Sequence, residues 1–493
     1  MGILSIFGKK DTTNKENLLK EEVEEMVKEE NKTPEPVIEK EEVEADNKAD
    51  ESKGEVKAFA FGVQDAFPMT NSKNVVVIGR VKGTIRVDDE VVITNVGDDK
   101  KSSFKSKVIG MEINKTQVPH ATDCLVVLNI ENGADANLKR GSVIHSENAS
   151  NDLMHATYIN ALGDMYVLHM NFKFEDKDIE NMSITDCAEA WKLYGWYISK
   201  NKLAETEEQK ADYKKKTEVI IKAMCDKILA AEEIYCVCNT LTGEPHLFSK
   251  TIKQEQGFLC TPPEVVLIPA AYADVYRERY SKGDFELRKI VNGSDGKGIR
   301  KFLMDAFYID GACGASIISD MTGVAAERLV EKPDYEERKG DDLPVTNPGL
   351  ERWILLLTQL GQPKTEEDEI IYKLYFRFMS NEIFNAKLLV PVLTKGKIPA
   401  PNQSGVSVIK EDMKISFSTL TSKDGRDAVR MYTDFKKFRA EFTSEWAAMI
   451  GPMSDMIEYF DCALNMSKTY KAGCYINKEM YKEMKDISQW EKH

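Results

Sequence analysis

The stretch whose reading decides the fold runs Phe61-Gly62-Val63-Gln64-Asp65-Ala66-Phe67, then Val75-Val76-Val77-Ile78-Gly79-Arg80-Val81-Lys82-Gly83-Thr84-Ile85, then Asp88-Asp89-Glu90-Val91-Val92-Ile93. Beyond it lie 107–113 (KVIGMEI), 121–128 (ATDCLVVL) and 138–144 (LKRGSVI). These are short β-branched runs, punctuated by Gly or by Asp/Asn pairs every ~8–12 residues, the rhythm of a small antiparallel barrel. Gly79 and Gly83 flank Arg80 where a strand must bend to close such a barrel, and a Cβ there would crowd the corner.

The order of the pieces (FGVQDAF, VVVIGRVKGTIRVDDEVVI, VIGMEI, ATDCLVVLNI, LKRGSVI) closely resembles the second, barrel domain of elongation factor Tu and related translation GTPases. That family opens on ED-x-F, turns at GRV-x-G, and continues with V-G-D-E-V, V-x-x-I-E-M, A-G-D-x-V and R-G-x-V strands. The resemblance spans residues 59–146 and implies a translation-type β-barrel. Two departures fall at turns: Thr122 stands where the family has Gly, and Val87-Asp88 where it has Val-Gly. The resemblance also implies a basic edge near an RNA end, for which Arg80, Lys82 and Arg140 are the candidates; ordinary surface charge is the competing reading. Folds host many activities, and in those GTPases the barrel works beside a nucleotide-binding domain that is not found ahead of it in this sequence.

With 493 residues the chain has room for about three domains. Residues 11–55 hold 17 acidic and 7 basic side chains, so −10 of the net charge of −15 sits there. The remainder is only mildly acidic and lacks the clustered Lys/Arg of a broad nucleic-acid footprint. High charge with little apolar surface leaves residues 11–56 too little burial to offset ordering entropy, which predicts a disordered acidic tether. Ahead of it, residues 1–10 form an apolar tip of Ile3, Leu4, Ile6 and Phe7, too few side chains for stable anchoring alone; a merely disordered tip competes with reversible docking on a membrane surface or in a partner groove. Ile6 occupies the place where myristoylation wants Ser or Thr.

Nine cysteines, odd in number and scattered through apolar runs, fit buried thiols in a reducing compartment. No apolar run approaches the ~20 residues of a membrane span. Lys9-Lys10 follow the apolar start, whereas a secretory leader would place them before it. A cytoplasmic protein is expected.

Past residue 147 the period turns helical. A helix beginning at 184 with a Thr or Asp cap and another led by Val219-Ile220-Ile221 precede a strand at 234–238, which ends in the turn Thr242-Gly243-Glu244-Pro245. The charged stretch 204–216 reads as a solvated face. A second helix-then-strand unit follows, with a helix at 370–379 and a strand at 387–392. Strand-then-helix segments at 264–276 and 427–438 correspond in kind, and small-residue strands at 309–315 and 471–477 close each half. Val265 to Gly311 is 46 positions and Val429 to Gly473 is 44, which predicts a duplicated α+β domain.

The second half resembles the N-terminal domain of the SseB family. It carries an L-x-V-P strand at Leu388-Leu389-Val390-Pro391-Val392, a threonine strand end at Tyr432-Thr433-Asp434, and a closing Gly473-Cys474-Tyr475-Ile476-Asn477. The resemblance implies an interaction domain without an established reaction. The expected organisation is tip (1–10), acidic linker (11–56), barrel (57–147), first SseB-like domain (148–330), linker (331–347) and second SseB-like domain (348–493). The fold class is multidomain α+β.

Candidate chemistry is sparse. Asn292-Gly293-Ser294-Asp295-Gly296-Lys297-Gly298 joins a strand to a helix but lacks the glycine spacing and the Ser/Thr of a phosphate loop, so it reads as a turn. Cys236 and Cys238 lack a second ligand pair for zinc, and Cys313 and Cys474 lack a neighbouring Arg in their motifs to lower a thiol pKa. Asp310, Asp434 and Asp461 read as cap or turn residues. No catalytic residue, cofactor or metal ligand is predicted. The expectation is a non-enzymatic interaction or scaffold protein using the barrel to bind a protein partner. A translation-associated factor touching tRNA or the ribosome is the first alternative, and an enzyme with a cleft between the two copies is the second.

Overall fold

The computed structural model describes residues 57–98, 103–168, 173–199, 206–254, 257–280, 283–318, 322–333, 344–395, 414–421, 425–467 and 470–489. The expected apolar tip (Ile3, Leu4, Ile6, Phe7) and the acidic tether lie outside the described residues.

Nine strands come first: β1 (Ala60–Pro68), β2 (Val75–Lys82), β3 (Thr84–Arg86), β4 (Glu90–Asn95), β5 (Ser103–Ile113), β6 (Thr116–Gln117), β7 (His120–Thr122), β8 (Leu125–Ile130) and β9 (Ser142–His145). Six of them run antiparallel in the order β4-β9-β1-β2-β8-β5, and pairing of β4 with β5 closes the ring. The expected barrel is present. Its register follows from the two-residue period of a strand: Val75, Val77, Gly79 and Val81 of β2 point inward, as do Val126, Leu128 and Ile130 of β8. With Phe61, Ile93, Met111 and Ile144 they form a closed core, and a one-residue slip would turn the whole set to solvent.

The corner glycines behave as their spacing predicts. A Cβ on Gly79 would overlap the Gly62 carbonyl oxygen and touch the Phe61 ring, and Gly83 has φ +86°. The two departures from the family pattern are absorbed by aspartates, which tolerate the left-handed region better than most residues. Asp88 takes φ +75° in place of glycine. Thr122 stays extended in β7, and the turn passes to Asp123 at φ +45°, whose carboxylate accepts the Gly83 N–H at 2.9 Å.

Helix α1 (Asn151–Leu162), capped by Ser150, crosses β1 so closely that a Cβ on Gly62 would sit 2.9 Å from both Ala161 Cβ and the Thr157 carbonyl. The first α+β unit then runs α2 (Asp176–Asn181), α3 (Ile184–Ser199), α4 (Glu207–Ala230), β10 (Glu233–Asn239), the hairpin β11 (Thr251–Gln254) and β12 (Gly257–Cys260), β13 (Glu264–Ile268), α5 (Ala273–Arg279), β14 (Phe285–Val291), α6 (Gly298–Tyr308), β15 (Gly314–Ile317), β16 (Gly323–Ala325) and α7 (Ala326–Leu329). The second runs α8 (Pro348–Leu360), α9 (Glu366–Ile383), β17 (Leu388–Lys395), β18 (Lys414–Phe417), β19 (Thr419–Thr421), β20 (Asp427–Met431), α10 (Phe435–Glu441), β21 (Ala447–Gly451), α11 (Ser454–Ile457), β22 (Asp461–Leu464), β23 (Cys474–Ile476) and α12 (Lys478–Gln489).

The first sheet has the order β14-β10-β13-β15-β16, antiparallel throughout except for the parallel pair β13–β15. In the second unit β21 pairs antiparallel with β17, an antiparallel bridge from Leu389 to Tyr432 ties β17 to the end of β20, β20 runs parallel to β22, and β23 returns antiparallel. Taken across that bridge, the order β21-β17-β20-β22-β23 and its directions match those of the first sheet, although β17 and β20 belong to separate sheets that also carry β18 and β19. That agreement corrects the alignment read from spacing. By pairing, β22 at 461–464 holds in its sheet the place that β15 holds in the first, whereas Cys474 begins β23, so Cys313 and Cys474 do not hold matching places. Two adjacent strands rich in small residues made the spacing ambiguous.

Two local expectations also shift. Helix α3 is capped by Ser183, whose hydroxyl accepts the Asp186 N–H at 3.0 Å while Asp186 accepts the Ser183 N–H at 2.8 Å. The cap is therefore neither Thr185 nor Asp186. The charged stretch at 204–216 is not wholly solvated: from Glu207 it belongs to α4, opened by a Thr206/Gln209 capping box, and Lys216 is buried against Asp212 and the Tyr213 ring.

Residues 58–493 form one compact unit. A single apolar cluster runs from Ala60 and Val143 of the barrel through Tyr194, Cys236, Leu303 and Ile354 to Met484.

Candidate functional site

Lys437 is the third residue of α10 and is buried, an unusual place for an ammonium group. Its local position follows from the sequence. Asp434 caps α10 by accepting the Lys437 N–H at 2.9 Å, and the i,i+3 step returns the lysine side chain to the same carboxylate at 3.0 Å. The other partners come from far away in the chain. Glu351, on the first turn of α8, lies 3.3 Å from the ammonium, and Asp310, just after α6 in the first unit, lies 3.4 Å from it. The Tyr470 ring covers the cation at 5.1 Å.

Around this centre most polar groups find partners, while Asp310 Oδ2 is buried without a hydrogen bond. Thr433 reaches Glu351 at 3.0 Å and Asp434 at 2.8 Å, and its single hydroxyl proton goes to one of the two. Asn465 donates to Glu351 at 2.7 Å, and Tyr470 donates its hydroxyl to the other Glu351 oxygen. Neighbouring Lys436 meets Glu244 at 3.1 Å and Asp310 at 3.6 Å. Gly311 makes the approach possible: it has φ +84°, and a Cβ there would overlap the Pro348 carbonyl at the start of α8. Arg352 donates to the Gly311 carbonyl at 2.5 Å.

The electrostatics follow from burial and neighbours. Burial works against the Lys437 charge, but Glu351, Asp310 and Asp434 outweigh it and hold the ammonium well above its ordinary range. Burial likewise pushes Asp434 up, yet Lys437 and the hydrogen bonds it receives hold the carboxyl below its usual value. Glu351, with the same cation beside it, is nevertheless pushed up by burial. Glu244 is raised by burial and by Asp310 to about 7. A lysine held so firmly as a cation is suited to pinning elements together and unsuited to acting as a base or nucleophile.

Of the three aspartates read as caps, the structure brings two together. Asp434 is a cap and a partner of Lys437; Asp310 joins it across the boundary between the units. Asp461 pairs instead with Arg426 at 3.2 Å and with the Tyr475 hydroxyl. Glu244, Glu351 and Lys437 were not anticipated. The available signal was a lysine placed on the inner side of a short apolar helix, Phe435 to Phe438.

The candidate basic edge of the barrel is not presented as a group. Arg80 pairs with Asp164 at 3.2 Å, and Arg140 holds Asp65 at 3.1 Å and Asp178 of α2 at 2.6 Å. Both arginines thus fasten the barrel to the helices behind it, while Lys82 stays exposed at the end of β2. Replacing Arg140 by Ala is expected to cost about 1 kcal/mol in urea unfolding, after allowance for its partial exposure, and less in high salt.

Burial raises the thiols of Cys187, Cys462 and Cys474 to about 12 and that of Cys225 to about 11. Cys313 does have an arginine nearby, Arg352 of α8, which its own motif lacks; burial still outweighs it and lifts the thiol. The glycine loop at 292–298 is a turn in which Asn292 donates to the carbonyls of Leu229 and Ala231 and accepts the Ile299 N–H.

Where α6 meets α10, a cavity of about 240 Å³ is lined by Met304, Tyr308, Val345 and Phe435, with Asp305 and Lys436 at its wall.

No family model matches the chain, and no curated protein matches it. Among solved structures, translation elongation factor SelB from Methanococcus maripaludis in its apo form is similar at 22% identity over 19% of this chain and 20% of that one, with a TM-score of 0.17. The same factor in complex with the GTP analogue GppNHp is similar at 18% identity over 27% of this chain and 24% of that one, with a TM-score of 0.17. The chain spans about a quarter or less of the elongation-factor chains it matches.

Proposed function

We propose that the chain is a non-enzymatic cytoplasmic interaction protein, in which a translation-type barrel is carried as a binding module on two SseB-like copies of one α+β domain. The observation that carries this reading is the use made of buried charge. Lys437, Asp310, Glu351 and Asp434 face one another across the boundary between the units and fix their relative placement. Buried ion pairs contribute little net stability; their best-attested use is to set register, and here that use serves to hold modules in place. The agreement in strand order between the two sheets supports the duplication, and Arg80 and Arg140 serve the same end at the barrel.

The barrel keeps Phe67 and Leu125 about half exposed, and these are the apolar contacts offered to a protein partner. Affinity capture with crosslinking, using the full chain and its Phe67→Glu and Leu125→Glu variants, tests the reading. A partner captured by the parent chain and lost from either variant is expected. Catalytic turnover by the purified chain that a single change at Asp305 or Lys436 abolishes would overturn it in favour of an enzyme working in the cavity between the copies.

The motif order over residues 59–146 and the closure of six strands favour a second reading, a translation-associated factor whose barrel meets tRNA or the ribosome. Co-sedimentation with ribosomes that collapses as salt rises, and that Lys82→Glu weakens, would place the chain there.

A further inference from the structure

Most strand edges in the chain are short or already paired. Pairing of β4 with β5 closes the barrel, and β16, β18, β19 and β23 have only three or four residues each. Strand β14 (Phe285–Val291) is different: it has seven residues, ends the first sheet and pairs with β10 alone. An edge of that length is a ready template for another strand.

The register with β10 fixes which groups the edge offers. Asn292 donates to the Glu232 carbonyl at 3.0 Å and Thr240 to the Asp284 carbonyl at 2.8 Å, so 232/292 and 240/284 are hydrogen-bonded positions of the ladder. Such positions recur at every second residue of an antiparallel pair. Glu286, Arg288 and Ile290 therefore turn their backbone groups toward β10. Phe285, Leu287, Lys289 and Val291 turn theirs outward, where they make no backbone hydrogen bond among the described residues.

We propose that two copies of the chain join edge to edge through β14, antiparallel about a two-fold axis beside Leu287, so that their five-stranded sheets become one. The charges select this register. With Leu287 facing its own copy, Phe285 and Lys289 exchange N–H···O=C bonds across the axis, and Glu286 opposes Arg288 of the second copy on both sides of it. Moving the axis to a neighbouring residue sets Glu286 against Glu286 or Arg288 against Arg288, and one step further sets Lys289 against Lys289. Unlike charges directly opposite stabilise a strand pair, and like charges destabilise it.

The side chains are placed for this pairing. Arg288 Nε donates to Glu286 at 3.0 Å on the same strand face, and the two side chains are 36% and 46% exposed, so both remain open to a second strand. Joined across the axis, Glu286 and Arg288 of the two copies alternate in sign around a closed ring. Lysine on an edge strand usually blunts it; here Lys289 is drawn back to Glu233 of β10. One strand pair buries less than the ~1,200–2,000 Å² of a standard stable complex, so a dissociation constant of about 10–100 μM is expected.

Sedimentation velocity of the full chain from ~1 to ~200 μM should show a monomer–dimer equilibrium. Hydrogen exchange resolved to single amides reads the register. Protection of the Phe285, Leu287 and Lys289 amides should grow with concentration, while Glu286, Arg288 and Ile290, already bonded to β10, should not change. Glu286→Arg alone should weaken the dimer about 10-fold, and Glu286→Arg with Arg288→Glu should recover most of that loss, because exchanging the signs restores each pair. Leu287→Pro removes an outward N–H, leaves the bonds to β10 in place and should keep the chain monomeric. A chain that stays monomeric throughout, a dimer indifferent to Leu287→Pro, a double variant no tighter than Glu286→Arg, or concentration-dependent protection confined to other strands would overturn the proposal.

Discussion

Lys437→Met is expected to destabilise the chain by about 3–5 kcal/mol at pH 8, the cost of leaving buried charge without its partner. Methionine fills much of the same volume, so the loss is electrostatic. Asp310, Glu351 and Asp434 would be left converging on an apolar side chain within a site they share. The pH dependence separates this from a packing defect. In the parent chain Asp434 titrates below its ordinary range, so it contributes stability that is present above about 3.8 and is lost as pH falls through its folded value. Without the lysine, the carboxylates titrate higher, and protonating them relieves the repulsion. The deficit in urea unfolding should shrink steadily from pH 8 toward pH 5. A loss under ~1 kcal/mol, equal at both pH values, would mean that the cluster contributes no more than a surface ion pair does.

Gly79→Ala is the second large effect. One methyl group would overlap the Gly62 carbonyl oxygen and lie 2.9 Å from the Phe61 ring. Both obstacles belong to β1, which pairs with β2 at Val63↔Gly79 and Gly62↔Arg80, so the strands must part where the barrel turns. Backbone cannot yield as a side chain can, and about 3 kcal/mol is expected, the upper end of ordinary overpacking. Gly62→Ala offers the comparison. Its new Cβ would press on Ala161 and Thr157 of α1, so it should loosen the barrel from the helix while leaving the barrel's own register intact. Hydrogen exchange in β2 and β8 distinguishes them: faster in Gly79→Ala, little changed in Gly62→Ala.

The barrel keeps a core of its own, and a second, larger apolar cluster joins its edge to both α+β units. The division into a barrel and two α+β modules is visible in the order of elements, yet Ala60 and Val143 of the barrel belong to the same apolar cluster as Met484 near the far end. The segment expected to serve as a linker before α8 is packed as well, in a small separate cluster where Val345 is buried with Leu389, Tyr432 and Phe438. A partner that grips the barrel therefore grips a body whose modules are already fixed to one another by Arg140 on one side and Lys437 on the other.

By itself the sequence determined the local features, because each is set by neighbours a few positions away. The alternation of 75–81 and 125–130 dictated the inward faces of the barrel, and the glycines at 79 and 83 its corner. The Asp434 cap was legible for the same reason. Only the tertiary structure decided what those residues meet. Asp310, Glu351 and Lys437 come from three distant places in the chain and carry no shared pattern; the fold alone brings both carboxylates within 3.4 Å of the ammonium and joins a residue that follows α6 to two helix residues in one buried cluster. Arg80 and Arg140 read as surface basic residues until α2 and the turn after α1 supply Asp178 and Asp164. Spacing along a chain reports periodicity, whereas charge pairing depends on distance through space, and that distance exists only once the units have closed on each other.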